Sequence, residues 1–156
     1  MQIDEAARIF GWILDPPQAY LVVTIIMLLT LKSQGFKAGI SFSIAALSGH
    51  LLIGTLKRFF SAPRPCFGQG FCPEGFDFPS GHSNMGMIIG LGILIFFGRK
   101  RKSVILLAAI FLLQGPSRIL AGVHTKEAVI AGCSIGTLIA LTIWVINKGS
   151  KRGKEA

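Results

Sequence analysis

The chain has 156 residues, of which 51% are hydrophobic and only 15% charged, and its mean hydropathy is +0.62. That excludes a disordered chain, which needs low hydrophobicity and high charge, and it departs from an ordinary soluble domain, where about 25% of residues are charged. The net charge of +9 comes from 16 Lys and Arg against 7 Asp and Glu; in so apolar a chain it reads as membrane topology, with Lys and Arg gathered on one side, and not as a nucleic-acid surface.

Residues 3–14 predict a short amphipathic helix, because Ile3, Ala6, Ala7, Phe10, Ile13 and Leu14 recur at helical spacing. It is too short to span a bilayer and is expected at the interface. Acidic residues stand where the basic start of a signal peptide would be, so no cleavable leader is expected. Pro16 and Pro17 end the helix. Five apolar runs follow, at about 18–31, 38–56, 80–97, 103–116 and 128–146. The expected fold is all-α: one polytopic membrane helix bundle over residues 1–156, with about five transmembrane helices plus the short interfacial one.

Charge orients these spans. Lys32 and Lys37, then Arg99–Lys102, then Lys148, Lys151, Arg152 and Lys154 fall on one side of a five-span chain. With Glu155 they carry all nine units of net charge, while six basic and six acidic residues cancel on the other side. The positive-inside rule then places the C-terminus in the cytoplasm and the N-terminus outside, as in a bacterial inner-membrane protein with its N-terminus in the periplasm. Cys66 and Cys72 share one outer loop with five residues between them; they are either a disulfide, if that loop meets an oxidising compartment, or two free thiols.

The outer face gathers Lys57, Arg64, Ser80, His82, Ser117, Arg118 and His124 at helix ends. Cations without matching carboxylates suit an anionic ligand, and phosphate suits Arg especially. Pro79-Ser80-Gly81-His82 opens an apolar helix, whose free N–H groups favour phosphate oxygens. Two histidines supply a nucleophile and a general acid. Carboxylates, the usual holders of Mg²⁺, are scarce, so neither metal nor cofactor is expected.

The order Lys57-x6-Arg64-Pro65, Pro79-Ser80-Gly81-His82 and Ser117-Arg118-x5-His124 resembles the three-part signature of the type-2 phosphatidic acid phosphatase family. The resemblance implies that His124 attacks phosphorus to form a phosphohistidine and that His82 protonates the leaving group. It also implies that Lys57, Arg64, Ser80, Gly81 and Arg118 hold the phosphate oxygens. It further implies a lipid-phosphate substrate, met at the periplasmic face of the bilayer. Lipid A 1-phosphate and undecaprenyl pyrophosphate are favoured, with phosphatidylglycerophosphate as the alternative. No nucleic-acid partner is expected.

One position departs from the family pattern. The signature continues His-x3-Asp, and Ala128 stands where the orienting Asp belongs. Three readings follow: Glu127 substitutes from the same helix face; the site is impaired, by nature or by engineering, leaving a lipid-phosphate-binding protein; or another group serves. His50 reads as a hydrogen-bonded histidine between helices, and Gln114 as helix-to-helix bonding. Gly86-x3-Gly90 and Gly132-x3-Gly136 read as close-packing faces inside one bundle.

Overall fold

The computed structural model describes residues 2–98 and 101–152. Several charges used in the topology reading, at Asp4, Arg99, Lys100, Lys151, Arg152, Lys154 and Glu155, belong to side chains outside that description. Among the described residues there are seven α-helices and no strand. They are α1 (Gln2–Gly11), α2 (Gln18–Gln34), α3 (Phe36–Phe60), α4 (Gly81–Phe97), α5 (Lys102–Leu112), α6 (Gln114–Leu120) and α7 (Lys126–Arg152), with a single 3-10 turn at Trp12–Leu14 after α1.

The five apolar runs are all helical, but they differ in how they could cross a bilayer. α3 and α7 are each long and apolar enough alone. α1 with its 3-10 turn pairs with α2 across a 53° bend, α5 pairs with α6 across a 40° bend, and α4 is a shorter apolar helix of 17 residues. Both bends have a sequence cause. Pro16 and Pro17 stand at the first. At the second, Pro116 lacks the N–H that would continue the ladder to Leu112. Gly35, at φ 91°, makes the one-residue turn between α2 and α3; that left-handed region is open to glycine without a Cβ penalty.

α4 is the central helix and touches α2, α3, α5, α6 and α7. Phe42, Ile88, Ile89 and Ile93 are fully buried around it. On the outside the pattern inverts: Leu21 of α2, Ile44 of α3, Leu106 of α5 and Leu138 of α7 are all more than 60% exposed. Apolar surface on so many faces is what a bilayer solvates and water does not. α1 packs on α6, where Gln114 Nε2 donates to Phe10 O at 3.1 Å and Arg118 Nη2 to Ala7 O at 2.8 Å.

Small residues set the helix spacing. A Cβ at Gly132 would lie 2.3 Å from Ser80 O, one at Gly136 would lie 2.4 Å from Asn84 O, and one at Gly86 would lie 2.4 Å from Phe111 O. The two glycine pairs therefore pack α7 and α5 onto α4 within a single chain. In each case the obstacle is backbone, which cannot swing aside. Gly132→Ala is expected to destabilise the bundle by about 1–3 kcal/mol through overpacking, outweighing the gain of up to ~1 kcal/mol from better helix propensity. Gly54, with open space around its missing Cβ, is the control. Thermal unfolding in detergent should show a lower midpoint for Gly132→Ala and none for Gly54→Ala; equal midpoints would contradict the packing account.

Candidate active site

The three motifs converge at one end of the bundle. α3 ends at Phe60, and Ser61 turns the chain through φ 46° into the loop that carries Arg64 and Asp77. Lys57, in the last turn of α3, donates to Phe76 O and, at 3.3 Å, to Asp77 O. Arg64 donates to Gly75 O and Glu74 O, each at 3.3 Å, and to Val123 O at 3.0 Å. Cys66 and Cys72 form a disulfide within that loop. Ser80 caps α4, is fully buried, and donates its backbone N–H to Ala128 O at 2.9 Å. Gly81 and His82 open the helix and line the same cavity as Lys57, Arg64, Arg118 and His124.

His124 has two distinct ring nitrogens. Nδ1 lies 2.6 Å from Asp77 Oδ1, with both side chains buried. Nε2 lies 3.1 Å from Arg64 Nη1. A guanidinium can only donate, so Nε2 accepts and Nδ1 carries the proton given to Asp77. Asp77 is itself fixed: Oδ1 also accepts from Thr125 N at 3.2 Å, and Oδ2 from Thr125 Oγ1 at 2.6 Å. Burial alone would raise the Asp77 carboxyl, but the Thr125 and His124 hydrogen bonds outweigh it and hold it below the usual carboxylate range. Burial pushes the His124 imidazole well below its ordinary value, and Arg64 and Lys57 push the same way against Asp77. The ring is thus neutral, with its Nε2 lone pair aimed at Arg64.

Glu127 does not take that place. It is exposed, and the carboxylate on His124 is that of Asp77. The physical reason is local. α7 begins at Lys126, so His124 precedes the helix, and the i+3 face that would join it to Glu127 does not exist. Ala128 is fully buried, and its N–H donates to Thr125 Oγ1 at 3.3 Å. Asp77 stands two residues before Pro79, and that proximity to the second motif is the signal a sequence reading could have used.

A second carboxylate was also missed. Asp15, between the 3-10 turn and α2, puts Oδ1 2.9 Å from His82 Nε2, a contact that is an ion pair when the ring is protonated. That contact holds the Asp15 carboxyl below its usual range, against burial. Arg118 is largely buried against α1, where the absence of a Cβ at Gly11 lets its guanidinium lie on the backbone, and it still lines the cavity beside Arg64 and His124. His50 is exposed and edge-on to Tyr20 at 6.2 Å, and both line the cavity. The cavity has a volume of about 590 Å³. It runs from the cations to an apolar wall of Val23, Met27, Ala46, Leu47 and Ile53, between α2 and α3.

A depressed imidazole stays neutral as pH falls. In ¹⁵N-histidine spectra of the detergent-solubilised protein, His124 should keep the Nδ1–H tautomer from pH 8 to pH 5. A midpoint near the ordinary 6.5 would contradict the assigned environment.

Residues 37–152 match the model of the PAP2 superfamily. The chain is 30% identical over 113 residues to phosphatidylglycerophosphatase B of Bacillus subtilis (strain 168), which covers 67% of this chain and 56% of that relative. The chain thus spans a little over half the length of the curated relative it matches. Its fold also matches the crystal structure described as the first transmembrane PAP2 type phosphatidylglycerolphosphate phosphatase from Bacillus subtilis. The TM-score there is 0.79 at 23% identity, covering 95% of this chain and 78% of that one. Its apolar helices and this shared fold mark it as a membrane protein, and the match over residues 37–152, which takes in all three motifs, shows that the chain belongs to the PAP2 superfamily.

Proposed function

We propose that the protein hydrolyses a phosphate ester on a membrane lipid through a phosphohistidine at His124. The observation that carries this reading is the Asp77–His124–Arg64 chain, which presents a neutral imidazole with its Nε2 lone pair facing Arg64 in the cavity that Lys57 and Arg118 also line. Lys57, Arg64 and Arg118 hold the phosphate oxygens, together with the N-terminus of α4, and stabilise the charge that builds on them in the transition state. Nε2 forms the bond to phosphorus as the bond to the leaving oxygen breaks. His82 gives that oxygen its proton. Water then attacks the phosphohistidine, returning a proton to His82. Asp77 keeps the His124 tautomer and stabilises the ring as it gains positive charge. The carboxylates of Asp77 and Asp15 are both engaged with histidines, which favours chemistry without a bound metal.

The apolar wall between α2 and α3 suits an acyl chain that stays in the bilayer while its headgroup reaches the cations. Lipid A 1-phosphate and undecaprenyl pyrophosphate, favoured from sequence alone, gain no support from the comparisons. The similarity to phosphatidylglycerophosphatase B supports phosphatidylglycerophosphate instead. The engagement of Asp77 speaks against an impaired, merely lipid-binding site. The Cys66–Cys72 disulfide and the charge asymmetry support a site on the outer, periplasmic side of a bacterial inner membrane, with the C-terminus in the cytoplasm.

Phosphate release from short-chain phosphatidylglycerophosphate in detergent tests this reading. Release should survive EDTA, be blocked by vanadate, and be lost in His124→Ala. Full activity in His124→Ala, or loss with EDTA, would overturn it. Asp77→Ala should lower kcat by roughly 10²–10⁴-fold, by analogy with other histidine-orienting carboxylates. Adding Ala128→Asp to that variant should restore part of the rate, while Glu127→Gln alone should change little. An Asp77→Ala protein with unaltered kcat would show that Asp77 does not act through His124.

A further inference from the structure

The mechanism above gives no task to Asp15, yet Asp15 reaches the leaving-group side of the site. Its backbone is pinned on both flanks: Asp15 N donates to Trp12 O at 3.1 Å, and Asp15 O accepts from Ala19 N at 3.0 Å. Leu14 beside it is buried in the main core. The carboxylate is therefore presented by a fixed corner of the chain. It is 46% exposed as a side chain, and it lines the cavity beside His82. It also precedes residue 37, where the family match begins.

In the proposed reaction His82 gives the departing oxygen its proton, and Asp15, with Oδ1 2.9 Å from His82 Nε2 and on the same cavity, lies close to where that oxygen leaves. We infer that Asp15 holds the His82 ring in place and restricts the site to phosphate esters whose leaving group is an uncharged alcohol. This rests on the lipid-phosphatase reading above. In a lipid monoester the leaving group is a hydroxyl once protonated, and a neighbouring hydroxyl of a glycerol headgroup can donate to the carboxylate. In a lipid pyrophosphate the leaving group is itself a phosphate anion. It would meet the Asp15 charge directly, and such juxtaposition of like charge is how sites reject close analogues. The three cations that line the cavity are assigned to the transferred phosphoryl group. Arg64 and Arg118 are near enough to Asp15 to stabilise its ionised form, so the carboxylate remains charged at neutral pH.

The test compares kcat/KM for dioctanoyl phosphatidic acid and for farnesyl pyrophosphate in the same detergent micelles. Wild type should prefer the monoester by tenfold or more. Asp15→Asn should narrow that ratio at least fivefold, with part of the change a gain on the pyrophosphate. A general loss of structure would lower both substrates together and leave the ratio alone. Asp15→Glu should keep the preference. An unchanged ratio in Asp15→Asn, or a wild type that prefers the pyrophosphate, would overturn this inference while leaving the phosphatase reading intact. A wild type that releases phosphate from neither lipid, nor from short-chain phosphatidylglycerophosphate, would overturn both.

Discussion

Everything at this site depends on one buried hydrogen bond, from His124 Nδ1 to Asp77. A carboxylate buried to this degree is costly unless it is fully paired. Thr125 supplies both its backbone N–H and its hydroxyl, and His124 supplies the third donor. The loop that carries Asp77 is held in turn within itself and from α3: Asp77 N donates to Ala62 O at 2.8 Å, Arg64 bonds the carbonyls of residues 74 and 75, and Lys57 of α3 bonds those of residues 76 and 77. The cations proposed to face the phosphate thus also tie down the loop that orients His124, the proposed nucleophile.

The bundle serves that bond by bringing two distant segments into register. Asp77 and His124 are 47 residues apart. What joins them is the contact of α4 with α7, where Gly132 and Gly136 let backbone meet backbone and Ser80 N reaches Ala128 O. Ala128 is then explained by position. It is fully buried where α7 meets the start of α4, and the carboxylate expected there arrives from the loop before α4.

Much of this was legible in the sequence. The apolar runs placed the helices, the motif spacing picked out the cations and both histidines, and the small-xxx-small pairs marked the close contacts. The two carboxylates were not legible, for a shared reason: each reaches its histidine across the fold. Asp15 and Asp77 stood in the charge count only as members of a neutral outer side. Glu127 was attractive because it was near in sequence, but nearness on a helix face requires both residues to be helical, and His124 is not. Pro116 was visible, yet its effect, a break that makes α6 a separate helix bearing Arg118, follows only once α1 is seen packed against it. Among the residues that line the cavity, Lys57, Arg64 and Arg118 exceed Asp15 and Glu74 by one positive charge, a local excess suited to a phosphate that the whole-chain balance could not reveal.

The central claim is that a neutral His124, held by Asp77, takes the phosphoryl group covalently. It is tested most directly by quenching the protein during turnover of a ³²P-labelled lipid monoester and mapping the labelled peptide. The account predicts an acid-labile, base-stable phosphate on His124 that accumulates more slowly in Asp77→Asn. Label on another residue, or steady phosphate release with the protein never labelled, would contradict it.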